Sequence, residues 1–266
     1  MESIKRYWDE RAALSSGSLQ ATTNDIFLRE LEITKLTEKL STIGLPQHAA
    51  VLDLGCGDGY STLRLAAALP TVSFLGVDYS ENMLAIAEER LRGQPQLASR
   101  VSFRLGDARQ LIAIPGLATF DVILTVRCLI NLPTAAEQFD TLRQVADRLN
   151  SRGFYFGIEN FLQGHENMNR LRTAMALPEI PIRWHNCFLD EDKFLLEASK
   201  IFDAVSVENF SSSYYLATRV IYSAMCQLLG EQPDYTHPIH RVAGKLPMFG
   251  DFSPIKLVSM QRRVRR

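Results

Sequence analysis

The stretch "VLDLGCGDGYST", residues 51–62, constrains the fold more than any other part of the sequence. A short apolar run is followed by Gly55, Gly57 and Gly59 within five positions, and then by an apolar-rich segment. This order predicts a strand, a tight turn and a helix. Glycines permit such a turn and leave backbone N–H groups open to a ligand at the helix N-terminus. We therefore expect a ligand site at the carboxyl edge of a sheet, a turn made only for packing being the alternative.

Strand and helix patterns alternate on both sides of this turn. Apolar runs predict strands at 49–55, 72–78, 101–107, 120–126 and 153–161, and helical patterns lie between them at 61–69, 80–91 and 134–149. Ser80 is placed to cap the second of these helices, and Thr134 with Glu137 resembles a capping box for the third. Strands alternating with helices of this length predict right-handed βαβ units and a parallel sheet.

The flanking segments follow other patterns. An amphipathic helix is predicted at 25–41, a loop-rich excursion at 162–190 and a helix at 190–201. Strands are expected at 202–210 and 253–261. The segment 212–229 carries one charge, Arg219, and is apolar almost all round. It is too short to span a bilayer, so it is predicted to be buried, a lid or a subunit contact.

Composition excludes several classes of protein. The chain has 266 residues, 46% of them hydrophobic, with a formal net charge of −1, so no basic face for nucleic acid is indicated. The four cysteines are widely spaced and predict reduced thiols rather than a metal or disulfide framework. His237 and His240 share a loop without further ligands, so we expect no metal. The charged N-terminus and the lack of a long apolar run predict a cytoplasmic protein outside the membrane.

Acidic residues mark the ends of three strands and argue for one ligand over another. Asp53, Asp78 and Asp107 lie at three consecutive strand tips, where Asp78 could accept hydrogen bonds from ribose hydroxyls. A dinucleotide turn needs a small residue where this chain has Tyr60. Acids within the turn, Asp53 and Asp58, disfavour a pyrophosphate and favour a ligand with a cationic amine. This pattern argues against NAD.

The motifs "VLDLGCGDG", "GVDYSENML", "GDA" and "FDVILTV" resemble, in order and spacing, those of class I S-adenosylmethionine-dependent methyltransferases. The resemblance covers about residues 50–160. It implies an α/β fold with a Rossmann-like, seven-stranded, mostly parallel sheet, helices on both faces, an antiparallel last strand, and helical lid and insertion elements. It also implies S-adenosyl-L-methionine as the cofactor, bound by Asp53, Gly55, Gly57, Asp78, Tyr79, Met83, Asp107, Ala108, Val126 and Arg127.

The resemblance divides the chain into three parts. Residues 1–45 are expected to form an N-terminal helical lid, with Tyr7 and Arg11 as contacts, and residues 46–161 the cofactor-binding core. Residues 162–266 are expected to hold the acceptor-binding excursion and the closing strands of the same domain.

Three residues are candidates for work on the acceptor. His185, beside Trp184, is the first choice for a general base, with a structural histidine as the alternative. Asn131 is expected to face the acceptor or to hydrogen-bond a helix start. Glu159, at the end of the fifth strand, is expected to bind a hydroxylated acceptor or to cap a loop.

These residues predict a methyltransferase that acts on a hydroxyl of a small or medium-sized molecule. An N-methyltransferase and a non-catalytic cofactor-binding subunit are the alternatives kept open, and a nicotinamide-dependent oxidoreductase and a nucleic-acid or protein methyltransferase are disfavoured. The expected partner is a small-molecule acceptor, with neither nucleic acid nor membrane, and the apolar segment 212–229 allows a homodimer.

Overall fold

Seven strands form one sheet in the computed structural model, which describes residues 2–15 and 22–263 of the chain. The strand order is β3-β2-β1-β4-β5-β7-β6. Strands β1 to β5 are parallel, whereas β7 runs antiparallel between β5 and β6. The predicted fold class is therefore confirmed. The strands are β1 (Ala50–Leu54), β2 (Ser73–Asp78), β3 (Val101–Leu105), β4 (Phe120–Val126), β5 (Leu149–Asn160), β6 (Phe202–Asn209) and β7 (Ile255–Arg262).

Helices cover both faces of the sheet. Successive strand residues point to opposite faces, so Val51 belongs to the core on one side and Leu52 to the core on the other. Both are fully buried. The helices are α1 (Glu2–Ser15), α2 (Ile26–Thr42), α3 (Tyr60–Ala68), α4 (Glu81–Arg92), α5 (Ala135–Arg148), α6 (Leu162–Ala174), α7 (Glu191–Ile201), α8 (Ser212–Tyr215), α9 (Tyr222–Leu229) and α10 (Ile239–Ala243).

Helix starts follow the predicted caps. The Ser80 hydroxyl accepts a hydrogen bond from the N–H of Met83 at 3.2 Å, and the Thr134 hydroxyl accepts one from the N–H of Glu137 at the same distance. The Glu137 carboxylate then accepts from the Thr134 hydroxyl at 2.9 Å. Each cap satisfies a backbone donor that the helix itself leaves without a partner.

The prediction of a loop-rich excursion at 162–190 is wrong for its first half, because residues 162–174 form helix α6. Pro178 and Pro181 lie beyond the end of this helix and restrict only the residues near them in the loop. At Gly164, inside α6, a side chain would place its Cβ 1.9 Å from the Ser253 carbonyl oxygen. The glycine therefore allows the helix to pack against the start of the last strand.

The segment 212–229 is helical, as predicted, and lies between β6 and β7 in the chain. Helices α8 and α9 are joined by a π-helical turn, Leu216–Ile221. Its inner face is buried, whereas Ile221, Met225, Leu228 and Leu229 expose an apolar stripe. The predicted homodimer stays a prediction.

The N-terminal segment packs over the carboxyl edge of the sheet. Helix α1 contacts α4, where the Ser80 hydroxyl donates to the Asp9 carboxylate. Residues 1 and 16–21 of the predicted lid lie outside the described residues. Within the described residues, no helix has the length and apolar character needed to cross a membrane.

Candidate active site

A cavity of about 330 Å³ opens at the carboxyl edge of the parallel strands. Its floor is formed by the loops that follow β1 to β5, and its walls come from α1, the segment 22–29, the segment 180–188 and the π-helical turn. Ligand cavities in proteins start at about this volume. All ten residues predicted to bind the cofactor line it: Asp53, Gly55, Gly57, Asp78, Tyr79, Met83, Asp107, Ala108, Val126 and Arg127.

The glycine turn after β1 has a backbone that other residues rarely adopt. Gly55 and Gly57 have φ angles of +76° and +53°. A Cβ on Gly55 would lie 2.6 Å from the Cys128 Sγ. The N–H groups of Gly55 and Cys56 donate to the Val77 carbonyl at 2.7 and 3.1 Å. These two donors are therefore used inside the fold, contrary to the expectation that the turn leaves its N–H groups open.

Asp78 ends β2 and ties this turn to helix α4. One carboxylate oxygen accepts from the Gly57 N–H and the other from the Ser80 N–H, both at 2.9 Å. Burial raises the pKa of Asp78 to about 6, although these backbone hydrogen bonds favour the ionised form. Each oxygen keeps a further lone pair, so the carboxylate can still accept hydrogen bonds from a ligand in the cavity.

The two acids of the glycine turn have different surroundings. Asp53 lines the cavity, and burial raises its pKa to about 6 while the Thr62 hydroxyl donates to it at 2.5 Å. Asp58 is fully buried and pairs with Arg29 at 2.5 Å and Arg90 at 3.1 Å. The inference that both acids face a cationic amine is therefore wrong for Asp58, whose charge is already balanced.

The third strand tip is held by a local ion pair. The Asp107 carboxylate accepts from the Arg109 backbone N–H and from its guanidinium, the shortest distance being 2.6 Å. Although burial opposes it, these hydrogen bonds lower the pKa of Asp107. Asp107 therefore stays ionised in the cavity wall near neutral pH.

Glu159 holds the turn after β4 through hydrogen bonds from its backbone. Its carboxylate is fully buried and accepts from the backbone N–H groups of Cys128, Leu129 and Ile130 at 3.1–3.3 Å. The Thr125 hydroxyl adds a fourth hydrogen bond at 2.8 Å. Burial raises the Glu159 pKa to about 7. Glu159 does not line the cavity. The expectation that it binds the acceptor is therefore corrected: the carboxylate is used to hold the turn.

The same turn presents Arg127 and Asn131 to the cavity. Arg127 has a φ of +54°, and its guanidinium lies 3.3 Å from the Glu32 carboxylate. The Asn131 amide donates to the Arg127 carbonyl at 2.6 Å, and its oxygen accepts from the Trp8 indole N–H at 3.3 Å. Asn131 therefore connects helix α1 to the turn after β4. Its predicted role toward the acceptor stays a prediction.

His185 lines the cavity, and its ring packs against aromatic side chains. Its ring centroid is 4.3 Å from that of Tyr7 and 5.2 Å from that of Trp184. Burial, with a smaller contribution from the nearby Arg183 charge, lowers the His185 pKa to about 4. The ring is therefore neutral at pH 7. Among the described residues, its buried Nδ1 has no hydrogen-bond partner.

Sequence reasoning missed a buried ion pair in the cavity wall. The Arg219 guanidinium pairs with the Asp25 carboxylate, which also accepts from the Leu28 N–H at 3.0 Å and the Tyr214 hydroxyl at 2.6 Å. His240 is part of this network, with Nδ1 2.8 Å from the Tyr214 oxygen. Asp25 and Arg219 are 194 positions apart, so no local pattern could have joined them.

The residues of the cofactor end fit S-adenosylmethionine. Asp53 and Asp78 are buried carboxylates with raised pKa values, and hydroxyl donors or a cationic amine would stabilise their ionised forms. The Tyr79 hydroxyl is buried without a partner among the described residues. Met83 adds apolar surface to the same wall. A nucleoside with a charged amino acid tail would supply matching groups.

The glycine turn and the strands around it match a known family. Residues 51–153 match the model of the "Methyltransferase domain" family. The chain is 47% identical over 76 residues to a demethylmenaquinone methyltransferase of Leptospira interrogans, which is 29% of this chain and 30% of that protein. It is 31% identical over 149 residues to the 27-O-demethylrifamycin SV methyltransferase of Amycolatopsis mediterranei, 55% of this chain and 47% of that enzyme. The chain thus spans less than half the length of these curated relatives.

Solved structures extend the likeness to the whole fold. The magnesium protoporphyrin IX methyltransferase of Synechocystis, solved with bound S-adenosylhomocysteine, superposes with a TM-score of 0.57 at 15% identity. The match covers 88% of this chain and 84% of that one. At this identity the likeness shows the fold, and the family model supplies the type of domain. Residues 51–153 therefore match a methyltransferase domain, and they belong to a seven-stranded sheet of Rossmann-like order.

Proposed function

We propose that this protein transfers the methyl group of S-adenosylmethionine to a hydroxyl oxygen of a small or medium-sized molecule. One observation carries the proposal. A single cavity is lined both by the strand-tip residues predicted for the cofactor and by the neutral His185. The match to a methyltransferase domain supports a cofactor at the strand tips, and the remaining space in the cavity would hold an acceptor.

Different residues of the chain would bind different parts of the cofactor. Asp78 would accept from the ribose hydroxyls, with Tyr79 and Met83 beside the adenine and Asp107 toward its amino group. Asp53 would balance the charge of the amino acid tail. When bound, S-adenosylmethionine supplies a methyl group activated by the positive charge on sulfur.

The cavity is suited to small molecules. Helix α1, the segment 180–188 and the π-helical turn contribute to its walls. Its volume of about 330 Å³ is in the size range of small-ligand sites. Such a site limits the orientations of a bound molecule, which an in-line displacement requires.

His185 is placed to handle the proton that a hydroxyl nucleophile loses. Because burial lowers its pKa to about 4, the ring is neutral at pH 7 and its unpartnered Nδ1 can accept a hydrogen bond. A base this weak takes the proton only as the oxygen gains its bond to carbon, so His185 acts as a general base during transfer. Oxygen as the target also agrees with the name of the rifamycin relative.

The test uses methyl-labelled S-adenosylmethionine with a deproteinised small-molecule extract, followed by mass spectrometry of labelled products. We expect labelled methyl ethers with the wild type. His185→Gln should lower kcat by about 100-fold or more and leave S-adenosylhomocysteine affinity within twofold. His48→Gln, an exposed histidine outside the cavity, is the matched control.

The outcomes separate the alternatives. Labelled methylamines would contradict the hydroxyl target and support the N-methyltransferase. Binding of S-adenosylhomocysteine without transfer to any fraction would support the non-catalytic subunit.

A further inference from the structure

Charges of both signs line the cavity. Asp53, Asp78 and Asp107 lie at the strand tips, where the cofactor is proposed to bind. In the part of the chain that the structure describes, Asp25 is the only other carboxylate in the cavity lining, which also contains Arg183 and Arg219. Arg29 and Arg127 line the cavity too, but they are paired with the buried Asp58 and Glu32.

Arg219 is fixed in place and keeps unused donors. Its guanidinium lies 4.8 Å from the Tyr235 ring centroid and 5.3 Å from that of Tyr215. Besides the Asp25 pair, it donates to the Thr218 hydroxyl at 3.1 Å. A guanidinium has five N–H groups, so Arg219 retains donors beyond these two contacts. Only 13% of the side chain is exposed, so these donors lie in a largely dry wall.

The Asp25 carboxylate is already used for hydrogen bonds within the protein. It accepts from Leu28, Tyr214 and Arg219, and it is 3% exposed. It therefore orients Arg219 and balances one positive charge. Arg183 is exposed at the rim and forms no ion pair with any described residue. Arg219 and Arg183 therefore outnumber the single carboxylate, and the buried Arg172, whose guanidinium donates to the Arg219 carbonyl, adds a further positive charge.

The local helix geometry supports a role for Arg219 beyond packing. Arg219 lies within the π-helical turn Leu216–Ile221, in an otherwise α-helical segment. Such turns interrupt regular helix hydrogen bonding and are frequent at functional sites. Here the turn places the one charged side chain of the segment 212–229 in the cavity wall.

We propose that the acceptor is a hydroxylated carboxylic acid, whose carboxylate binds at Arg219 while its hydroxyl lies toward His185. A carboxylate fits better than a phosphate dianion because Asp25 would repel a second negative charge. Planar guanidinium and carboxylate groups also match geometrically. This inference rests on the proposed function, since it names the acceptor of that same site.

The experiment separates a small-molecule extract on an anion-exchange resin before methylation. The neutral, the carboxylate and the phosphate fractions are each incubated with methyl-labelled S-adenosylmethionine and the full-length protein. We expect labelled product from the carboxylate fraction, and we expect that product to keep its negative charge because the hydroxyl is methylated.

Arginine variants test which side chain binds the acceptor carboxylate. Arg219→Gln should raise the KM for the active fraction about 10- to 100-fold, with a smaller change in kcat and unchanged S-adenosylhomocysteine affinity. Arg183→Gln, at an exposed position, should raise KM by a few-fold. Arg170→Gln, an exposed arginine on α6 outside the cavity, is the control.

Each contrary result has a distinct meaning. Label only in the neutral or phosphate fraction overturns the carboxylate but leaves the methyltransferase. A product that has lost its charge overturns the hydroxyl as the target. An unchanged KM in both cavity variants overturns the anion site, and no label in any fraction overturns the proposed function itself.

Discussion

Asp78→Asn separates ligand binding from folding, because the carboxylate has a role in both. In the structure each oxygen accepts one backbone N–H, from Gly57 or Ser80, and each has a lone pair left for the ribose. Asparagine keeps one acceptor oxygen and places an amide donor where the other oxygen was. The substitution therefore removes charge and half of the acceptor capacity with almost no change in volume.

The two effects differ in size and sign. Hydrogen bonds to a charged group contribute about 1.5–3 kcal/mol each, so loss of the charge and of one ribose contact should weaken binding by about 3 kcal/mol, or about 100-fold in Kd. Burial raises the Asp78 pKa from its ordinary value to about 6, so its ionised form costs about 3 kcal/mol near pH 7.5. Asparagine removes that cost but leaves one N–H without an acceptor, which costs about 1–3 kcal/mol. Stability should therefore be unchanged or rise slightly.

The assay is calorimetric titration with S-adenosylhomocysteine at pH 7.5, together with chemical denaturation of both proteins and a parallel titration with NAD. Asp121→Asn is the matched control, since that carboxylate accepts from the Ala50 N–H at 2.8 Å at the opposite edge of the same sheet. We expect its Kd within twofold of the wild type and no heat with NAD. A Kd for Asp78→Asn within threefold of the wild type would refute the ribose assignment.

Two further predictions concern the turns around the site. Glu159 has a folded pKa of about 7, so the folded chain holds its proton more tightly than the unfolded chain does, and ionisation opposes folding as pH rises. The unfolding free energy of the wild type relative to Glu159→Gln should therefore rise by about 3–4 kcal/mol between pH 7.5 and pH 4; a flat difference in denaturation experiments would contradict this. Gly55→Ala should lose about 2–4 kcal/mol, because it combines a left-handed backbone with a Cβ 2.6 Å from the Cys128 Sγ. Gly116→Ala, with a φ of +62° and nothing within 4 Å, should lose only about 1–2 kcal/mol, and equal melting temperatures for the two variants would show that the contact is unimportant.

Local sequence patterns were sufficient to predict the elements whose structure depends mainly on their own consecutive residues. The strand ending at Asp78 and the helix capped by Ser80 are built from consecutive residues, and both were predicted within two positions of their observed bounds. Helix α6 was missed because its polar sequence has a weak amphipathic pattern and prolines come after it. At Gly164 the helix packs against Ser253, about ninety positions away in the chain, and a local pattern cannot show such a contact.

The candidate site shows the same division. The strand-tip residues were predictable because parallel strands bring their carboxyl ends to one edge, whatever the rest of the chain does. The contacts of each side chain could not be predicted in this way. Asp58 is neutralised by Arg29 and Arg90, and the Glu159 carboxylate accepts hydrogen bonds from three backbone N–H groups instead of binding an acceptor.

The sequence by itself determined the parallel sheet, the glycine turn and the row of carboxylates, because these depend on periodicity and on strand polarity. Only the tertiary structure decided which charges remain available in the cavity. Burial and pairing depend on contacts between distant segments, as between Asp25 and Arg219, and the free energy of a charge is set by those contacts rather than by its neighbours in the chain.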